Sequence, residues 1–178
     1  ARHLHGALQL SQRQQQSVLW EAHQIDDALA RLGIKVVLLK GAAYSLAQLP
    51  AGIGRLFGDV DILVPHERLG QVEVRLMTKG WTGLKNDDYD QHFYRELSHE
   101  LPPMIHPRRG TVIDVHHTIL PPTAAHRPSP DNILERARPL EGMRCLHVPS
   151  TQDLVIHSLC HVVHEGEANN TLQDIKDI

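Results

Sequence analysis

Apolar residues in this chain recur with two different periods, and the switches between them outline its elements. Val18, Ala22, Ile25, Leu29 and Leu32 stand three or four apart, so an amphipathic helix is predicted from about Ser11 to Leu32. Gly33 follows as its stop. Ile34 to Leu39 is then almost continuously β-branched or leucine, short and well bounded, which reads as a buried strand. A short helix is expected over Ala43–Leu49, closed by Pro50, and a second strand over Leu56–Val64. Pro65 opens a further helix that carries Leu69, Val72 and Leu76 on one face and ends at Gly80.

The second half is more broken. Trp81 to Asp90 reads as a polar turn region, Gln91 to Leu97 as a strand, and Pro102, Pro103 and Pro107 as breaks. Thr111 to Ile119 gathers β-branched residues into a clear strand, and Cys145 to Val148 forms a short one. Ser150, with Asp153 three residues on, is placed to cap a helix running to about His164. Another helical segment begins near Asn170 and is still running at Ile178, so a truncated carboxy terminus is expected. These signals divide the chain into an α/β part with its N-terminal helix over 1–120, a Pro-rich connection with a short strand over 121–149, and a helical segment over 150–178.

Composition narrows the class. With 178 residues, 41% of them hydrophobic, the chain is long enough to bury a core, and it holds no apolar run able to cross a bilayer. A cytoplasmic protein is the expectation, with no membrane partner. Cys145 and Cys160 are too few for a disulfide framework and are read as reduced core residues. A formal charge of −3 offers nucleic acid no global attraction.

Candidate chemistry sits in the second strand. Asp59 and Asp61 flank a single apolar residue, and side chains two apart on a strand share a face, while Val60 and Ile62 point the other way. Two carboxylates held on one face repel unless a cation or proton stands between them. Oxygen-rich clusters suit hard divalent ions, Mg²⁺ (or Mn²⁺) above all where a phosphate completes the shell. The pair therefore predicts metal-dependent phosphoryl or nucleotidyl transfer. A solvated strand end is the plainer account, and the apolar residues on both sides weigh against it.

Three pieces occur in order: a strand leading into Lys40-Gly41-Ala42 at a helix start, the strand with Asp59 and Asp61, and Val112-Ile113-Asp114-Val115-His116, which presents one acid between apolar neighbours. This order resembles the nucleotidyltransferase superfamily whose best-known member is DNA polymerase beta. Leu38-Leu39-Lys40-Gly41, then Arg55, Gly58-Asp59-Val60-Asp61-Ile62-Leu63-Val64 and Ile113-Asp114-Val115-His116, is similar to a group of uncharacterised bacterial nucleotidyltransferases. The resemblance covers roughly Ile34 to Ile119 and, more weakly, the helices after Ser150. It fits an α/β (α+β) fold: a mixed, mostly antiparallel sheet of about four or five strands flanked by helices, with a small helical C-terminal part.

The resemblance also implies an activity, the Mg²⁺-dependent transfer of a nucleoside monophosphate from a nucleoside triphosphate (NTP) to a hydroxyl, with release of pyrophosphate. Asp59 and Asp61 would bridge two ions. Asp114 would hold the ion on the nucleophile side and accept the hydroxyl proton. Lys40, Gly41, Ala42 and Arg55 would meet the triphosphate. The acceptor is open among tRNA, a protein side chain and a small molecule such as an aminoglycoside.

Two other functions stay in view. Where the superfamily usually carries Gly-Gly or Gly-Ser this chain has Gly41-Ala42, which keeps open a non-catalytic regulatory member with a protein partner, as in a toxin–antitoxin pair. His157, His161 and His164 lie at i, i+4 and i+7, with Glu165 adjacent, the spacing of a histidine-based metallohydrolase and equally of polar packing between helices. His116 shares the face of Asp114 and would orient that acid or touch substrate, or equally be a plain hydrogen-bonded histidine.

Overall fold

The computed structural model describes residues 2–53, 58–84, 94, 98–125 and 127–164. Helix α1 (Arg2–Leu29) passes through a tight turn into β1 (Val36–Leu38), followed by α2 (Lys40–Leu46), β2 (Asp59–Leu63), α3 (Leu69–Thr78) and β3 (Thr82–Gly83). Then come β4 (Met104–His106), β5 (Thr111–His116), α4 (Pro130–Arg136), β6 (Arg138–Pro139), β7 (Leu146–Val148) and α5 (Thr151–His164). Helix α1 starts well before Ser11, because Leu, Ala, Gln and Arg are good helix formers and outnumber the weaker His3, His5 and Gly6 there.

Among the described residues, seven strands join one sheet in the order β3-β4-β5-β2-β1-β7-β6. Neighbours are antiparallel except β2 with β5 and β1 with β7, so the sheet is mixed and mostly antiparallel. It is wider than the four or five strands expected from sequence. Strands β3 and β6 have two residues each, too few to show alternation, and β4 is squeezed between Pro103 and Pro107. The Pro-rich stretch is a crossover within this sheet, since β7 beyond it lies parallel to the central β1. The strand expected over Gln91–Leu97 and the helix from Asn170 to Ile178 fall outside the described residues, apart from Tyr94, which is helical. Among the described residues no helix is long and apolar enough to cross a membrane.

Alternation along the strands builds two cores. Val36, Leu38, Val60, Ile62, Ile113 and Val115 pack with Val18, Ala22, Ile25 and Leu29 of α1 and Val72 and Leu76 of α3. On the opposite face Val37, Leu39 and Leu63 pack with Ile133 and Leu134 of α4, and Cys160 of α5 rests against them. Polar ties orient the helices. Buried Asp26 of α1 accepts the backbone N–H groups of Arg144 and Cys145 at 2.9 and 2.8 Å, fastening α1 to the start of β7. The Ser150 hydroxyl accepts the Asp153 N–H at 3.2 Å and caps α5.

Candidate active site

Strands β2 and β5 run side by side in the same direction, and their register sets Asp61 opposite Asp114 and Leu63 opposite His116. Residues opposed on neighbouring strands present their side chains to the same face, as do residues two apart on one strand. Asp59, Asp61, Asp114 and His116 therefore look out together, on the side away from α1. Asp59 is exposed, Asp114 half-buried, and Asp61 only 3% exposed.

Helix α2 brings a cation to these acids. The Leu39 N–H donates to the Asp61 carbonyl at 2.9 Å, and the chain then turns at Lys40 with φ +47°, a left-handed conformation rare for a residue with a side chain. Such a conformation costs on the order of 1–3 kcal/mol and persists where its surroundings impose it. The turn sets Lys40 Nζ 2.8 Å from Asp61 Oδ1. His116 Nε2 reaches the same oxygen at 3.0 Å. Of the roles left open for His116, the structure shows a hydrogen-bonded histidine, and its partner is Asp61 rather than Asp114.

These contacts divide the titration of the three acids. Burial works against an ionised Asp61, but the hydrogen bond from His116 and the charge on Lys40 outweigh it and hold the carboxyl well below the usual range. Asp59 is raised, by loss of water and by the charge on Asp61. Asp114 is pushed up to about 7, first by burial and then by repulsion from Asp61, Glu100 and Asp59. Its Oδ1 is buried and has no hydrogen-bond partner. A carboxylate desolvated in this way, beside two others and with oxygen as the donor throughout, fits a hard divalent cation such as Mg²⁺.

Helix α5 closes over the same region. The Tyr44 hydroxyl of α2 and the Ser158 hydroxyl of α5 lie 2.5 Å apart. His157 is buried, and desolvation, helped by the charge on Lys40, drives its pKa down to about 3. The imidazole is neutral, a polar packing group lying near the acids. The rings of His157 and His161 are 6.4 Å apart, and the His164 side chain lies outside the described residues. His117, on the other side of β5, donates from Nε2 to the Ser98 carbonyl at 3.2 Å and faces away from the acids.

Asp59, Asp61, Asp114 and Lys40 thus come together. Gly41 and Ala42 are buried at the start of α2, whose seven residues give only a short dipole, so Lys40 carries the positive charge on this side. Arg55 lies outside the described residues. Sequence reasoning missed the Lys40–Asp61 pair, the approach of His157 and the presence of Glu100 beside His116. Only the doublet Pro102-Pro103 hinted at the last of these.

A strand pair bearing three acids, flanked by a strand-turn-helix, is the arrangement that the resemblance in sequence led us to expect. Two solved structures are similar to this chain in fold: the solution structure of the antibiotic-resistance factor ANT(2'')-Ia, with TM-score 0.59, 14% identity, 92% of this chain and 81% of that one covered, and the crystal structure of ANT(2")-Ia in complex with adenylyl-2"-tobramycin, with TM-score 0.56, 12% identity, 90% and 88% covered. More particularly, residues 1–178 match the profile of the family described as "Uncharacterised nucleotidyltransferase", and the chain belongs to that family of transferases. Among curated proteins, no sequence matches it.

Proposed function

We propose that this chain transfers a nucleoside monophosphate from an NTP to a hydroxyl acceptor, with Asp59, Asp61 and Asp114 as ligands of Mg²⁺ or Mn²⁺. The observation that carries this reading is the register of β2 on β5, which puts Asp61 and Asp114 opposite one another with the buried Asp114 Oδ1 unpartnered. When bound, divalent ions between these carboxylates supply Lewis-acid stabilisation of the phosphoryl oxygens and of the leaving pyrophosphate.

The residues divide the remaining work. Asp61, kept ionised by His116 and Lys40, is a fixed negative centre. Asp114, opposite Asp61 in the strand register, is placed to accept the acceptor hydroxyl's proton. As that proton leaves, the hydroxyl oxygen bonds to the α-phosphorus and the bond from phosphorus to the bridging oxygen of pyrophosphate breaks. Lys40, with the backbone amides of Gly41 and Ala42, offers positive charge to the phosphates. Arg55 belongs to the same proposed set, by the resemblance in sequence. One structural neighbour is complexed with adenylyl-2"-tobramycin, which makes a small polyhydroxylated molecule the first acceptor to try, beside RNA and protein.

The test is incubation with each α-labelled NTP and with aminoglycosides, RNA or protein as acceptors, comparing wild type with Asp59→Asn and Asp61→Asn. Label transfer by wild type alone supports the reading. Equal labelling by the variants overturns the assignment of the acids, and no labelling by any form with any acceptor overturns the transfer.

A further inference from the structure

We propose a second metal site, formed by His99, Glu100 and His116, that takes a borderline transition ion of the Zn²⁺ or Co²⁺ kind rather than Mg²⁺. The ligand atoms these residues offer lie within 4.8 Å of one another. Its geometry begins with the backbone. Continued without a break, the antiparallel register of β4 on β5 would set Leu101 opposite His116. The structure instead pairs Glu100 with His116, a slip of one residue at Pro102-Pro103. Proline has no N–H for the ladder and is at home in bulges, and a bulge re-aims the side chains beyond it. Leu101 accordingly drops into the core, 2% exposed, and Glu100 comes to the face of His116.

His116 is then held at both ring nitrogens. Its Nε2 binds Asp61 at 3.0 Å, and its Nδ1 stands 3.4 Å from Glu100 Oε2. Four ligands about 2.1 Å from a tetrahedral zinc ion are about 3.4 Å from each other, so this pair already has the separation that a shared ion requires. The residue is 2% exposed, and Nδ1 is buried without a hydrogen-bond partner. Donation from Nε2–H to a carboxylate fixes the tautomer that leaves a lone pair on Nδ1, the carboxylate–histidine–metal relation seen in protein metal sites. The His99 ring stacks on that of His116 with centroids 5.3 Å apart. His99 and Glu100 are only partly buried, the Glu100 side chain being 19% exposed, which leaves an approach from solvent. Two imidazoles and one carboxylate with an open position make a borderline donor set, distinct from the all-oxygen set of Asp59, Asp61 and Asp114. The two sites meet at Asp61, through His116.

The proposal does not depend on the transfer reading, and its test needs no activity. The full chain, stripped with a chelator, is titrated with Co²⁺ in excess Mg²⁺ while visible absorption is recorded, and with Zn²⁺ by calorimetry. Expected are one Co²⁺ per chain with a ligand-field band, at least tenfold weaker binding in His99→Gln and Glu100→Gln, and unchanged binding in Asp59→Asn. Absence of stoichiometric Co²⁺ in wild type overturns the site. So does binding that Asp59→Asn weakens and Glu100→Gln leaves alone, which would put the ion among the three acids. Thermal melts with and without Zn²⁺ supply a second readout: a rise in Tm for wild type that is lost in Glu100→Gln supports the site, and equal rises in both overturn it.

Discussion

The two faces of β2 and β5 are made by alternate residues of the same strands, yet they solve opposite problems. On one side Val60, Ile62, Ile113 and Val115 are sealed under α1 and α3, none more than 5% exposed, and their contribution is removal from water. On the other, Asp59, Asp61 and Asp114 crowd like charges, one carboxyl depressed and two raised. A carboxylate oxygen on that face is buried with no hydrogen-bond partner. The fold holds this unfavourable cluster because the apolar face beneath it fixes the register. Stability is gathered on one side of the sheet and spent at the site on the other.

Replacing one residue on each face tests the division directly. Asp61→Asn should lower transfer by several kcal/mol of lost transition-state stabilisation, on the order of 10³-fold in kcat/KM, with Tm little lowered; a variant that unfolds instead would show the acid to be structural. Ile62→Ala, directly behind it, should cost about 2–5 kcal/mol of stability, read by urea denaturation. Its activity at low temperature should survive, and joint loss of stability and activity would erase the distinction between the faces. Lys40→Met removes the charge beside Asp61 and should weaken NTP binding by about 10–100-fold, the worth of a charge-assisted hydrogen bond; an unchanged KM would confine Lys40 to pairing with Asp61.

Proton linkage sharpens the comparison further. Asp114 binds its proton more tightly in the folded chain, near 7 against an ordinary 3.8, so its stabilisation is whole below the lower value and is lost as pH rises through about 7. His157, held at about 3 against 6.5, acts in the other sense and costs stability as pH falls from 6.5. The difference in Tm between metal-free wild type and Asp114→Asn isolates the first group, and it should shift in the variant's favour as pH rises from about 4 to about 8. A flat difference would mean that Asp114 ionises freely. Smallest is Ser150→Ala, which removes the cap of α5 and should cost about 1 kcal/mol without altering the proposed metal binding by the acids.

Much of this was legible in the chain, for reasons that can be named. The period of two around Asp59 and Asp61 identified their shared face, since a strand admits no other arrangement of neighbours. The steps of three and four from Val18 to Leu29 likewise marked the buried side of α1. Short elements escaped: β3 and β6 have no period to read, and β4 lies within a cluster of prolines. The partner of His116 was left open, because proximity along a strand suggests Asp114 while a ring of this length also reaches across to the neighbouring strand, where it meets Asp61.

The sequence by itself determined which residues alternate, which face of each element is apolar, and that acids stand at three points along the chain. Only the tertiary structure decided that Asp61 lies opposite Asp114, that Lys40 turns back onto Asp61, that His157 lies near both, and that a slip at Pro102-Pro103 sets Glu100 against His116. The reason is physical. Local patterns depend on backbone period, which each segment carries within itself, whereas strand register depends on the packing of both sheet faces at once, and no single segment contains it.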